Sequence, residues 1–416
     1  MKSIIDLSDT LYEASKSIRI LRNISWDASV AKEFFANKGQ KLPIVEYPKV
    51  DVSETFSLLK KAKALVPKDR LVRDWAEEII RDLEEGAMLL QNMGTKKFYY
   101  HSDQLYGSPK STLLDCKSTS LDLANHFEAM YENLEGLDLG APPEACILAD
   151  EVVREISEAV NKEFGDKAPK VYIDDSIASN AIAGRQRIRI RGEACFSDKD
   201  IDQLIHHEAY IHVATSINGK NQDKLKILGA AHPGTTKTQE GLAVFAEFIT
   251  GTIDLDRLRR LSDRIVAIQM ALDGADFIQV YNFYLDKTKS ADQSFESTRR
   301  VFRGGVMTGG APFTKDIVYL DGLIRVHNFL RIMVSQGRAD LMDLLFVGKL
   351  DIEDIPVLSM FEKEGMIKKP EFLPPWMKDT RFLLTYLAYS SFLNSVKLTK
   401  IKEHYRSMLA DSFDNG

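Results

Sequence analysis

The chain has 416 residues, 44% of them hydrophobic and 28% charged, with 55 Lys and Arg against 61 Asp and Glu for a formal net charge of −6. That length suffices for a large interior and more than one packed unit, and the composition is that of a globular protein rather than a disordered or membrane one. The acidic balance offers no global basic field for nucleic acid or an anionic bilayer, and the three cysteines, Cys116, Cys146 and Cys195, odd in number and far apart, predict reduced thiols in a cytoplasm.

At the N-terminus, Asp6 and Asp9 interrupt the apolar stretch that a signal peptide needs, which predicts a chain that is not exported. Up to about residue 135 the pattern is mostly helical, as in RLVRDWAEEIIRDLEEGAMLLQNM from Arg70, and carries no chemical motif. LEGLDLGAPPEA, ending at Ala145, reads as a linker. The expected organisation is a helical region over 1–140, a unit carrying the chemistry over 141–345, and a helical C-terminal region over 346–416 packed on it.

In ILADEVVREISEAVNKEFG, residues 147–165, Val152, Ile156, Val160 and Phe164 fall on one helical face. VYI at 171–173 and RQRIRIRG read as strands, Ile188 and Ile190 facing inward while Arg187, Arg189 and Arg191 line the other face. That arginine face is either a solvated surface that blunts a sheet edge or an edge that binds an extended or anionic substrate.

SDKDIDQLIHHEAYIHVAT is a helix, with Ser197 as N-cap, Asp198 and Asp200 in the first turn, and Ile201, Leu204 and Ile205 as its buried stripe. After SINGKNQ comes KTQEGLAVFAEFITG, apolar nearly all round from Leu242 to Ile249, which places that helix in the interior. Residues 254–300 read as two or three further helices, and a Gly-rich loop, VFRGGVMTGGAPFTKDIVYLDG, runs into a helix from about Asp316. The remainder is helical apart from KKPEFLPPW, and FLLTYLAYSSFL from Phe382 is too short to span a bilayer.

The chemistry concentrates in HHEAYIH, residues 206–212, of a chain with only eight histidines. His207 and His212 are five apart, and at about 100° per residue a regular α-helix would turn them roughly 140° from each other. Either a π-type bulge brings them back to one face, or the cluster is incidental. Glu240, in the first turn of the interior helix, is a carboxylate too costly to bury unpaired. Two histidines and this glutamate form the His₂Glu set of catalytic zinc sites, with Glu208 placed as general base for hydrolysis of an amide. Glu247 either orients a ligand histidine or is a surface carboxylate.

HHEAYIH, SINGKNQ, TKTQEGLAVFAE and RRVFRGG…FTKDIVYLDG resemble the flavohaemoglobin expression-modulating QEGLA motif family, whose animal relatives include the microtubule-associated tyrosine carboxypeptidase. The resemblance runs over about 170–330. It implies an α+β, helix-rich zincin-like metallopeptidase with a small mixed sheet beside the metal-binding helix. His207, His212 and Glu240 would hold one Zn²⁺ per chain, and Glu208 would act as base in a carboxypeptidase acting on a peptide or protein C-terminus. Tyr210 stands where relatives carry a small residue and is a candidate oxyanion donor, as is Tyr319, one turn after Lys315. Arg300, Arg303 and Lys315, with Arg189 behind them, are either candidates for the substrate carboxylate or surface residues and members of structural ion pairs. His232 reads as a loop histidine, and Asn218 and Gln222 as ties between the two metal helices. The contrasting expectation is a metal-stabilised regulatory or binding protein, whose fourth metal position would be filled by Tyr210 or His206.

Overall fold

The predicted helices form where their apolar stripes fall. In the Arg70–Gln91 helix, Asp69 caps the N-terminus through Val72 N, and Val72, Trp75, Ile79, Leu83 and Leu90 are buried. The Ala149–Phe164 helix buries Val152, Ile156, Val160 and Phe164 and ends at Gly165, whose φ of 53° suits a residue without a side chain. The computed structural model describes residues 2–134, 146–175, 177, 180–184 and 186–413, so the expected linker, 134–145, lies outside the described residues apart from Leu134.

The fold is a helix-rich α+β one with a single small mixed sheet among the described residues. Its strands are β1 (Lys170–Ile173), β2 (Ala181–Gly184) and β3 (Arg187–Ile190), in the order β1-β3-β2. β3 runs parallel to β1 and antiparallel to β2, and its Ile188 and Ile190 join Val152, Ile156 and Val160 in one apolar cluster.

The arginine-bearing strand is therefore central, not an edge. Alternation of polarity reports which face a side chain takes and says nothing of lateral neighbours. The edge turned toward the histidine helix is β2, whose AIAG has no polar alternation to mark it.

A larger core draws residues from the N-terminal, central and C-terminal parts of the chain, among them Leu11, Leu83, Phe245, Leu330, Phe361 and Leu387. At its centre the Thr236–Ile249 helix packs along the Val318–Ser335 helix. They cross at Gly241 and Gly322, where a Cβ on either residue would collide with backbone of the other helix. Only glycine allows this approach, beside which Lys315 bonds both Glu240 and Tyr319.

The expectation of three reduced thiols is corrected: Cys146 and Cys195 form a disulfide, and Cys116 alone is free. Residues 49 apart in sequence are brought together because Ile147 and Phe196 pair as an isolated bridge beside them. Cysteine usage thus gives no argument for a reducing compartment. No helix among the described residues is long and apolar enough to cross a membrane.

Candidate metal centre

Ser197 caps the helix that leads into the site, with Asp200 completing a capping box, and the Asp198–Leu204 segment is α-helical. The next nine residues, Ile205–Val213, wind as a π-helix. A π turn closes after five residues, so His207 and His212 share a face, their ring centroids 5.0 Å apart. One donor atom from each of His207, His212 and Glu240 lies within 4.8 Å of the others. Each histidine Nε2 is 3.6 Å from Glu240 Oε2.

Two imidazole nitrogens and a carboxylate oxygen suit a small divalent cation. Ligands about 2.0–2.1 Å from a tetrahedral ion stand roughly 3.3–3.4 Å apart, so closing this set on an ion takes only side-chain adjustment. His207 is also oriented from behind: its Nδ1 lies 2.7 Å from Glu247 Oε1, which turns Nε2 toward Glu240. Glu247 is fully buried and is held by two bonds of 3.0 Å from Arg257. Its carboxyl sits well below the ordinary range because Arg257 and His207 outweigh the effect of burial.

Glu240 is shared among three partners. Lys315 Nζ donates to its Oε1 at 2.6 Å, leaving Oε2 for the imidazoles. Burial alone would raise the Glu240 carboxyl; Lys315, with His207 and His212, reverses this and holds it well below the ordinary value. Glu208 Oε2 accepts from Ala183 N of β2 at 3.0 Å.

The remaining candidates separate clearly. Lys315 also donates to Tyr319 OH at 3.1 Å, so Tyr319 borders the cluster. Arg300 grips Asp316 through two bonds of 2.6 and 2.9 Å, and Arg189 pairs with Asp174 at 3.2 Å. Arg303 makes no side-chain hydrogen bond or ion pair among the described residues; its guanidinium lies 5.6 Å from the Phe313 ring centroid and its buried Nε has no partner. Burial, with Arg300 next, pulls its pKa down to about 10, which leaves it charged at neutral pH.

Tyr210 is not brought to the cluster: its ring packs on His206, centroids 5.3 Å apart, and against the apolar residues beneath the sheet. His206 does not belong to the donor group. His232 is buried in the loop before the Thr236–Ile249 helix and is also outside it. Asn218 and Gln222 do not tie the two metal helices. They bond to backbone at Phe346, Val347, Lys368, Glu371 and Phe372, anchoring the Ala214–Lys220 helix to the C-terminal part instead.

That anchoring role is joined by a residue the sequence did not single out. Lys349 Nζ donates to His212 O at 3.1 Å, Thr215 Oγ1 at 3.0 Å and Gln239 Oε1 at 2.6 Å. It therefore clamps the π turn to the residue before Glu240. Burial pulls its ammonium down to about 7. A lone lysine in the apolar run LLFVGKL was the only available signal. Replacing Lys349 by Met is expected to weaken metal binding roughly 10–100-fold, as loss of an outer partner does. Competition against a chromophoric chelator measures this, and an affinity equal to wild type would remove Lys349 from the support of the site.

No curated protein matches the sequence. A solved structure of a candidate lipoprotein from Colwellia psychrerythraea is a distant likeness, with a TM-score of 0.45 and 14% identity over 84% of this chain and 69% of that one. The family model for the microtubule-associated tyrosine carboxypeptidase matches residues 32–395, a span that takes in the sheet, the π turn, Glu240, Glu247 and the Lys315–Tyr319 turn. On that match the chain belongs to the microtubule-associated tyrosine carboxypeptidase family.

Proposed function

We propose that this protein is a zinc-dependent, zincin-like carboxypeptidase that removes a C-terminal residue from a peptide or protein. The observation that carries this reading is the bond that Glu208, next to His207 in the chain, makes to the edge strand beside the His207, His212 and Glu240 donor set. The family description names a tyrosine carboxypeptidase, which supports release of a terminal residue.

A zinc ion held by His207, His212 and Glu240 supplies Lewis acidity, polarising a carbonyl and acidifying water. Glu208 takes the proton of the attacking water and passes it to the departing amine, work that a positioned carboxylate performs in both directions. The edge position of β2 suits an extended peptide laid beside it. Lys315 fills a lone pair of the Tyr319 oxygen, so the phenol proton is left to bond the oxygen that gains charge in the transition state.

Of the four candidate cations, Arg189, Arg300 and Lys315 already neutralise Asp174, Asp316 and Glu240. Arg303 is partly buried and makes no ion pair among the described residues, so its guanidinium has hydrogen-bond capacity left for a substrate carboxylate. Arg303→Ala is expected to lower kcat/KM on peptides with a free C-terminus roughly 10–100-fold, the worth of a hydrogen bond to a charged group. Steady-state kinetics on paired free-acid and C-terminally amidated peptides tests this. Equal cleavage of both forms by the wild-type protein would rule out carboxylate recognition.

A further inference from the structure

The Arg381–Leu393 helix, RFLLTYLAYSSFL, has Arg381 as its one charged residue, in a chain with 28% charged residues. Leu383 and Leu387 face inward and are fully buried. The outward face is equally apolar: Phe382, Tyr389 and Phe392 are 65%, 61% and 65% exposed. With Thr385 these residues follow the 3-4-3 spacing of a heptad seam. The patch continues through Tyr386, whose ring is 6.1 Å from that of Phe248, the residue after Glu247.

The next helix, Leu398–Phe413, also presents apolar side chains to solvent. Every residue from Lys397 to Leu409 is exposed. Leu398, Ile401, Tyr405 and Leu409 form a second seam, flanked by Lys402 and Arg406. A 16-residue helix whose residues are exposed as far as Leu409 is marginal in water by itself, and its apolar side chains offer a surface for docking.

We propose that these two helices form a self-complementary interface between two copies of this chain, the 398–409 seam of each copy lying in the 382–392 face of the other. Both halves of the interface are on one chain, so a twofold axis satisfies both at once. Their lengths match: 13 and 16 residues span about 20 and 24 Å at 1.5 Å per residue. The exposed apolar side chains of the two faces amount to about 900 Å² per copy, close to the roughly 800 Å² that each partner gives to a standard interface. The narrow seam of the 398–409 helix, with charges close on its flank and Glu403 among them, suits a groove between helices better than the broad apolar face of a bilayer-bound helix.

Sedimentation equilibrium of the full chain from about 1 to 100 μM, a range that brackets micromolar self-association, tests this. The wild-type protein is expected at about twice the 47.0 kDa chain mass. Tyr405→Glu, on the exposed helix, and Phe392→Glu, on the opposite face, should each weaken the dimer at least tenfold, with circular dichroism unchanged. A wild-type monomer throughout, or a dimer indifferent to both substitutions, overturns the proposal. So does a monomer that binds phosphatidylserine vesicles through these helices, which would assign the faces to a membrane surface.

Discussion

Replacing Glu208 by Gln is expected to lower kcat roughly 10²–10⁴-fold while leaving the metal in place. The glutamine keeps an oxygen that can accept from Ala183 N, so the 3.0 Å tie to β2 survives and the local structure has no reason to move. What disappears is the capacity to take up a proton. Glu208 is outside the donor group of His207, His212 and Glu240, so metal content should equal that of wild type. Turnover and metal content measured on the same preparation separate this outcome from its rival. A variant that has lost metal would make Glu208 part of the binding set, and a fully active one would end its role as base.

Glu240→Ala should produce the opposite split, with metal lost first and activity lost as a consequence. The substitution removes one of three donors, so the drop in affinity should exceed the roughly 10–100-fold that loss of an outer partner costs. It also strands a second group. Lys315 is buried, and its 2.6 Å bond to Glu240 Oε1 is its only ion pair among the described residues. Breaking one side of a buried pair typically costs about 3–5 kcal/mol, so the melting temperature should fall as well. Elemental analysis of the dialysed variant beside wild type, together with a thermal melt, reads both effects. A variant with wild-type metal content would show that His207 and His212 hold the ion without it.

The local part of this architecture was legible in the sequence. Ser197 and Asp200 announce a helix start, Val152 to Phe164 announce a buried stripe, and the interval of five between His207 and His212 is a spacing that only a π turn resolves on one face. Lateral and long-range relations were not. The arginines of β3 marked a face, whereas the edge belongs to the four featureless residues of β2. Lys349 reaches the His212 carbonyl across 137 positions and Arg257 reaches Glu247 from a separate helix, and no local pattern encodes either pairing. The same limit explains the cysteines, since 49 residues separate two sulfurs whose meeting depends on the Ile147–Phe196 bridge. For the candidate cations, residue type was legible and occupancy was not: only the fold shows that Asp316 already holds Arg300 while Arg303 is left unpaired.

The decisive measurement is mass spectrometry of unmodified peptides incubated with the purified protein carrying one zinc per chain. The account predicts loss of a single C-terminal residue, no reaction with the amidated forms, and arrest by chelation with recovery on return of zinc. Peptides that remain intact, or that are cut at internal bonds, with zinc bound would contradict it.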